Sequence, residues 1–152
     1  MARLNQVVFV KENWRQDPQA AQYIIDANKS MKEQLESLLL KSDVIDDLDQ
    51  MQSWQLCVQF AFPRVKPLAW QNGAVLTGHP LGATIQDCVQ RWGRVVTSWD
   101  KANLRSTGNS ALVICPFNPD GPEAVVLAAR LGSLASMIAP ALAKWLASPQ
   151  NR

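Results

Sequence analysis

Histidine is almost absent from this chain: His79 is the only one in 152 residues. That scarcity leaves the chain poorly supplied for metal binding or acid–base chemistry. Cysteine is nearly as sparse. Cys57, Cys88 and Cys115 are widely spaced and set in apolar surroundings, which excludes a disulfide framework and zinc-type pairs and makes them small buried hydrophobes. An excess of charge is missing too, with 15 Lys and Arg against 13 Asp and Glu for a formal +2. Bulk electrostatics of that size do not mark a nucleic-acid binder, so any such role must rest on local patches. No apolar run approaches the roughly 18 residues of a membrane span, and the start, MARLNQVVFVKENW, has no signal-peptide core followed by a small-residue cleavage site. A cytosolic product is expected. Internal repeats and low-complexity tracts are also missing.

What is present is apolar residue content of 47%, enough for one compact domain over residues 1–152. Its clearest pattern is PLGATIQDCVQRWGRVVTSW, residues 80–99. Leu81, Ile85, Cys88, Trp92, Val95 and Trp99 recur at helical spacing, which predicts a helix with one buried face from about residue 80 to 103. Pro80 suits its first turn. Asp87, Arg91 and Arg94 stand on its shoulder.

In chain order, QVVFV at 6–10 is a short apolar strand or arm. Asp17 and Pro18 start a helix, with Ala21, Ile24, Ile25 and Asn28 on one face. Ser30 and Glu33 have capping-box spacing, so a second helix starts there or the first continues. Its apolar positions run through Met31, Leu35, Leu38, Leu39, Ile45, Leu48 and Met51, with Asp43, Asp46, Asp47 and Asp49 as a solvated face. WQLCVQFAF then alternates as a strand, ended by Pro63 and Pro67. Asn72 and Gly73 form a turn flanked by extended pieces, making a small antiparallel ribbon. Residues 104–121 form a long connection that holds a short strand at ALVIC. Pro122 and Glu123 open a last helix, with a kink or break expected near Ala139 because of Pro140. The sum is an all-α-dominated fold: an antiparallel four-helix bundle with a small antiparallel sheet at one end.

Two resemblances bear on function. NGAVLTGHPLGAT, residues 72–84, is similar to the glycine-rich histidine loop of thiolases, in which a histidine and a cysteine act together on acyl-enzymes. That likeness implies a small α/β acyl-transfer or hydrolytic enzyme using Cys115 and His79. The alternative is a turn leading into a helix. The second resemblance is collinear and longer. QVVFVKENWRQDP (6–18), VQFAFP (58–63), NGAVL (72–76) and the following Pro80 and Leu81 resemble the coat proteins of tobamoviruses, as does the length.

This second resemblance implies a structural, non-enzymatic coat protein that assembles with itself into helical rods in the virion and host cytoplasm. It packages single-stranded RNA through phosphate contacts, with no cofactor, metal or membrane. By position, Lys41, Arg91, Arg94 and Arg130 become the RNA-binding residues, and Asp100, Asp120 and Glu123 the candidates for a carboxylate disassembly switch. Two competing readings remain: the Cys115–His79 enzyme, and an adaptor that docks a protein partner on amphipathic helices.

Overall fold

The computed structural model describes residues 6–10, 18–46, 50, 55–62, 72–76, 81–93, 111–119, 121 and 123–147. Five strands and four helices follow one another along these residues: β1 (Gln6–Val10), α1 (Pro18–Ser37), β2 (Ser42–Ile45), β3 (Gln55–Phe60), β4 (Asn72–Leu76), α2 (Gly82–Gly93), β5 (Ala111–Phe117), α3 (Ala124–Ala128) and α4 (Leu131–Ala147). The strands form one sheet in the order β2-β1-β3-β5-β4. β2, β1, β3 and β5 are parallel, and β4 closes the edge antiparallel to β5.

The registers explain which residues face the helices. Val7 pairs with Leu56 and Phe9 with Val58, while Val58 pairs with Leu112 and Phe60 with Ile114. Paired residues share a face because side chains alternate along a strand. These seven belong to the main core, together with Ile24, Met31 and Leu35 of α1, Ile85, Val89 and Trp92 of α2, and Leu134, Ile138 and Leu142 of α4. α4 touches both α1 and α2, so the three long helices share one face of the sheet. Each large apolar side chain so buried contributes about 1.5–3 kcal/mol. The opposite face, with Val8, Val10, Cys57, Val113 and Cys115, is buried as well.

This α/β architecture replaces the expected four-helix bundle. The strands were visible as short apolar runs, but QVVFV, QLCVQF and ALVICPF are near-continuous runs rather than strict alternations. Such runs belong to parallel strands covered on both faces, not to an antiparallel ribbon at the end of a bundle. β3 is buried at every position, and ALVIC, expected as a short strand within a connection, lies inside the sheet between β3 and β4. The helical stripe of residues 80–99 is present as far as it is described: Leu81, Ile85, Cys88, Val89 and Trp92 are buried. α4 runs through Pro140. The break in the last helical segment falls earlier, at Ala129 and Arg130.

The helix expected beyond residue 30 is the continuation of α1, and it stops at Ser37 instead of reaching Met51. The Leu40 N–H donates to the Leu35 carbonyl and the Leu39 N–H to the Glu36 carbonyl, each at 3.0 Å. That pair of bonds is a Schellman cap, with Leu39 at the left-handed position (φ 61°). Leucine pays a steric penalty there that glycine does not, and Leu39 is 93% exposed, so packing returns little. Leu39→Gly is expected to raise stability by about 1 kcal/mol, read as a higher midpoint in urea with an unchanged slope.

Candidate functional site at the carboxyl edge of the sheet

From β1 the chain passes through α1 to β2 on one side. From β3 it passes through β4 and α2 to β5 on the other. The connections therefore diverge between β1 and β3, and the carboxyl ends of these strands form the crevice where open α/β sheets place their ligands.

α1 rises past this edge. The Asn28 side chain, midway along it, donates from Nδ2 to the carbonyl of Val10, the last residue of β1, at 3.3 Å. Because that carbonyl only accepts, the amide orientation is set, and Asn28 Oδ1 is left buried without a hydrogen-bond partner. Nearer the start of α1, Tyr23 meets Phe62, just past β3, at a centroid separation of 5.4 Å and Phe117, at the end of β5, at 5.1 Å. Phe62 and Phe117 are 4.9 Å apart. This aromatic trio packs α1 against the ends of β3 and β5. Sequence patterning marked Asn28 only as a member of a helical face and did not single out the trio. Their meeting depends on the order of the strands, which no local pattern carries.

The thiols do not form a nucleophilic centre. Burial pushes the Cys57 thiol up to about 12 and the wholly buried Cys115 thiol higher still. Cys88 is buried and its Sγ lies 3.6 Å from the Met137 carbonyl. A nucleophilic cysteine must be accessible and activated as the thiolate, and Cys115 is neither. His79 lies outside the described residues. All three thiols are expected to resist iodoacetamide in the native state at pH 8 and to react together once the chain is unfolded, as counted by mass.

Of the four basic residues expected to bind RNA, Lys41, Arg91 and Arg130 are described. Lys41 is exposed before β2, where its carbonyl accepts the Val7 N–H at 3.2 Å. It borders an open groove of about 430 Å³ shared with Lys32, Glu36 and Asp43, whose charges are mixed rather than basic. Arg91 pairs with Asp87 at 3.0 Å, both side chains about two-thirds exposed, an ordinary helix-surface pair worth a few tenths of a kcal/mol. Arg130 is committed to packing. Its Nη2 donates to the Trp92 carbonyl at 3.4 Å and its guanidinium lies 5.6 Å from the Trp92 ring centre, while Trp92 Nε1 donates to the Arg130 carbonyl at 3.1 Å. This reciprocal clasp ties α2 to the α3–α4 junction. Arg94, Asp100 and Asp120 lie outside the described residues, and Glu123 is exposed at the start of α3, where its carbonyl accepts the Leu127 N–H.

No group of three or more His, Cys, Asp or Glu side chains that could hold a metal ion occurs among the described residues, and no described helix is long and apolar enough to cross a membrane.

No protein-family model matches this chain, and no curated protein matches it in sequence. Solved structures do. N-acetylmuramoyl-L-alanine amidase AmiC2 of Nostoc punctiforme superposes with a TM-score of 0.59 at 13% identity, covering 97% of this chain and all of the amidase chain. The apo form of the N-acetylmuramyl-L-alanine amidase Ami1 from Mycobacterium abscessus gives 0.63 at 10% identity with the same coverage. These likenesses overturn the coat-protein resemblance and, with it, the rod-forming capsid function and the expectation of a non-enzymatic chain. The described parts of the short collinear matches to tobamoviruses include β1, β3 and β4, which belong to one mostly parallel five-stranded sheet and not to a small antiparallel sheet at the end of a bundle. What the chain shares from end to end is the α/β fold of N-acetylmuramoyl-L-alanine amidases.

Proposed function

We propose that this chain is a hydrolase of amide bonds in muramoyl-L-alanine-type substrates, working at the carboxyl edge between β1 and β3. One observation carries the reading: its fold corresponds to that of two such amidases over their whole length. The buried, unpartnered Asn28 Oδ1 beside the end of β1 adds a polar acceptor at that edge.

Amide hydrolysis needs a water activated by a base and a proton for the departing amine. The thiols are excluded by burial, and the chain holds a single imidazole. Carboxylates are therefore the groups to supply the base. Glu12 follows β1 by two residues in sequence. Asp120 is joined to Pro119 and Gly121, three residues past β5. β1 and β5 both border β3, so their ends lie about 10 Å apart, two strand spacings. In sequence, one carboxylate thus follows each of the two strands that border β3. In this reading Glu12 is the base and Asp120 the group that binds or protonates.

The test is incubation of the purified chain with an N-acetylmuramoyl-L-alanyl peptide. Mass spectrometry is expected to show N-acetylmuramic acid and a peptide with a free L-alanine amine in equal amounts. Intact substrate after prolonged incubation with a stoichiometric amount of protein would remove the proposal.

A further inference from the structure

We infer that β2 is a self-association edge: two copies of this chain pair their β2 strands antiparallel about Ser42, extending the sheet across a two-fold axis. β2 is the outer parallel strand, and its edge is marked by several independent features.

Among the described residues, no strand pairs with the outer side of β2. Because the Val7 N–H uses the Lys41 carbonyl and Val7 is in register with Ser42, the parallel pattern turns the N–H and C=O of Lys41, Asp43 and Ile45 towards β1. Those of Ser42 and Val44 point outwards. The Val44 N–H confirms this direction, since it donates to its neighbour's Asp43 Oδ1 at 2.8 Å and not to a strand. Ser42 Oγ is buried and has no hydrogen-bond partner. Beside it lie large apolar side chains with little cover: Val44 is 40% exposed, Leu38 42% and Leu39 93%. Leu39 also holds the strained left-handed position, which leaves a costly residue where glycine would suit the isolated chain better.

A second copy fits this edge because the strand complements itself. With Ser42 opposite Ser42 of the other copy, the two residues exchange backbone hydrogen bonds and bring their hydroxyls together as a cross-strand pair. Lys41 then faces Asp43 twice, once on each side of the axis, and Leu40 faces Val44 twice. Opposite charges across a non-hydrogen-bonded pair are favourable, and like charges are not. Shifting the centre by one residue puts Asp43 against Asp43, so charge selects the Ser42 register. When Asp43 turns to the opposing Lys41, it releases the Val44 N–H to the Leu40 carbonyl of the other copy. The charged residues that discourage other strands from adding to this edge therefore admit this one. Isologous pairing of this kind closes on itself and does not propagate. Four residues a side make a small interface, so the dimer forms at micromolar concentrations and above and weakens with salt.

Sedimentation velocity over a concentration series, with thermal melts to verify folding, tests this. The wild-type chain is expected to pass from monomer to dimer. Asp43→Lys and Lys41→Asp each place like charges opposite one another and are expected to weaken dimerisation at least ten-fold. The double exchange Lys41→Asp with Asp43→Lys restores the opposite-charge pairs and is expected to recover it. A wild-type chain that stays monomeric to several hundred micromolar would overturn the inference. So would single variants that dimerise as the wild type does, or a double exchange that remains as weak as either single variant.

Discussion

Phe117→Ala is expected to cost about 3–5 kcal/mol, a large share of the 5–15 kcal/mol that holds a domain of this size together. Phe117 is wholly buried at the carboxyl end of β5. Its ring is the common neighbour of Tyr23 on α1 and Phe62 beyond β3. Removing it leaves a cavity between α1, β5 and the residues just past β3, and such a site collapses poorly because each wall is anchored elsewhere. The tilted and edge-on arrangement of the three rings adds roughly 0.5–1.5 kcal/mol per pair beyond burial. Phe117→Leu keeps most of the volume and should recover more than half of the loss. Equilibrium unfolding in urea reads both values. A cost below 1 kcal/mol for the alanine variant would show that the trio does not fasten α1 to the sheet.

The trio also shows where sequence reading stops. The helical face of residues 81–92 was legible because its period lies within one segment, and each of its buried positions depends on neighbours three or four residues away. The strands were legible as composition. QVVFV, QLCVQF and ALVIC are rich in β-branched and aromatic residues, but their partners lie about fifty residues away. Reading them as local ribbons gave an antiparallel sheet appended to helices, whereas the continuity of their apolar runs signals burial on both faces and hence a central parallel sheet. The acidic stretch from Asp43 to Asp49 shows a related failure. It extended the helical pattern past Leu39, but Val44 and Ile45 are β-branched and pair with Phe9 and Val10 of β1. Ladder hydrogen bonds and the Schellman cap at Leu39 and Leu40 outweigh the helical period. Arg130 was noticed as a cation and was expected to meet phosphate. Its partner Trp92, 38 residues earlier, was assigned only to the core, so their clasp could not be foreseen from either position alone.

Glu12→Gln is expected to lower release of the L-alanyl peptide by a factor of 10² to 10⁴, the usual worth of a positioned general base. The substitution preserves shape and hydrogen-bonding reach while removing the ability to take a proton, so folding should be unaffected. A carboxylate base makes the wild-type rate fall in acid as it takes up its proton, and the Gln variant should lose that acidic limb as well as the rate. Asp120→Asn should act differently, altering the dependence on substrate concentration if the group binds, or the alkaline limb if it protonates the amine. Cys115→Ala is the internal control: a buried, protonated thiol takes no part in proton transfer, so its loss should leave the rate per folded molecule unchanged. If Glu12→Gln hydrolyses as fast as the wild type, Glu12 does not provide the base and the role passes to Asp120. If Cys115→Ala alone abolishes release, the carboxylate mechanism is wrong and the thiol reaches the substrate by a rearrangement of β5.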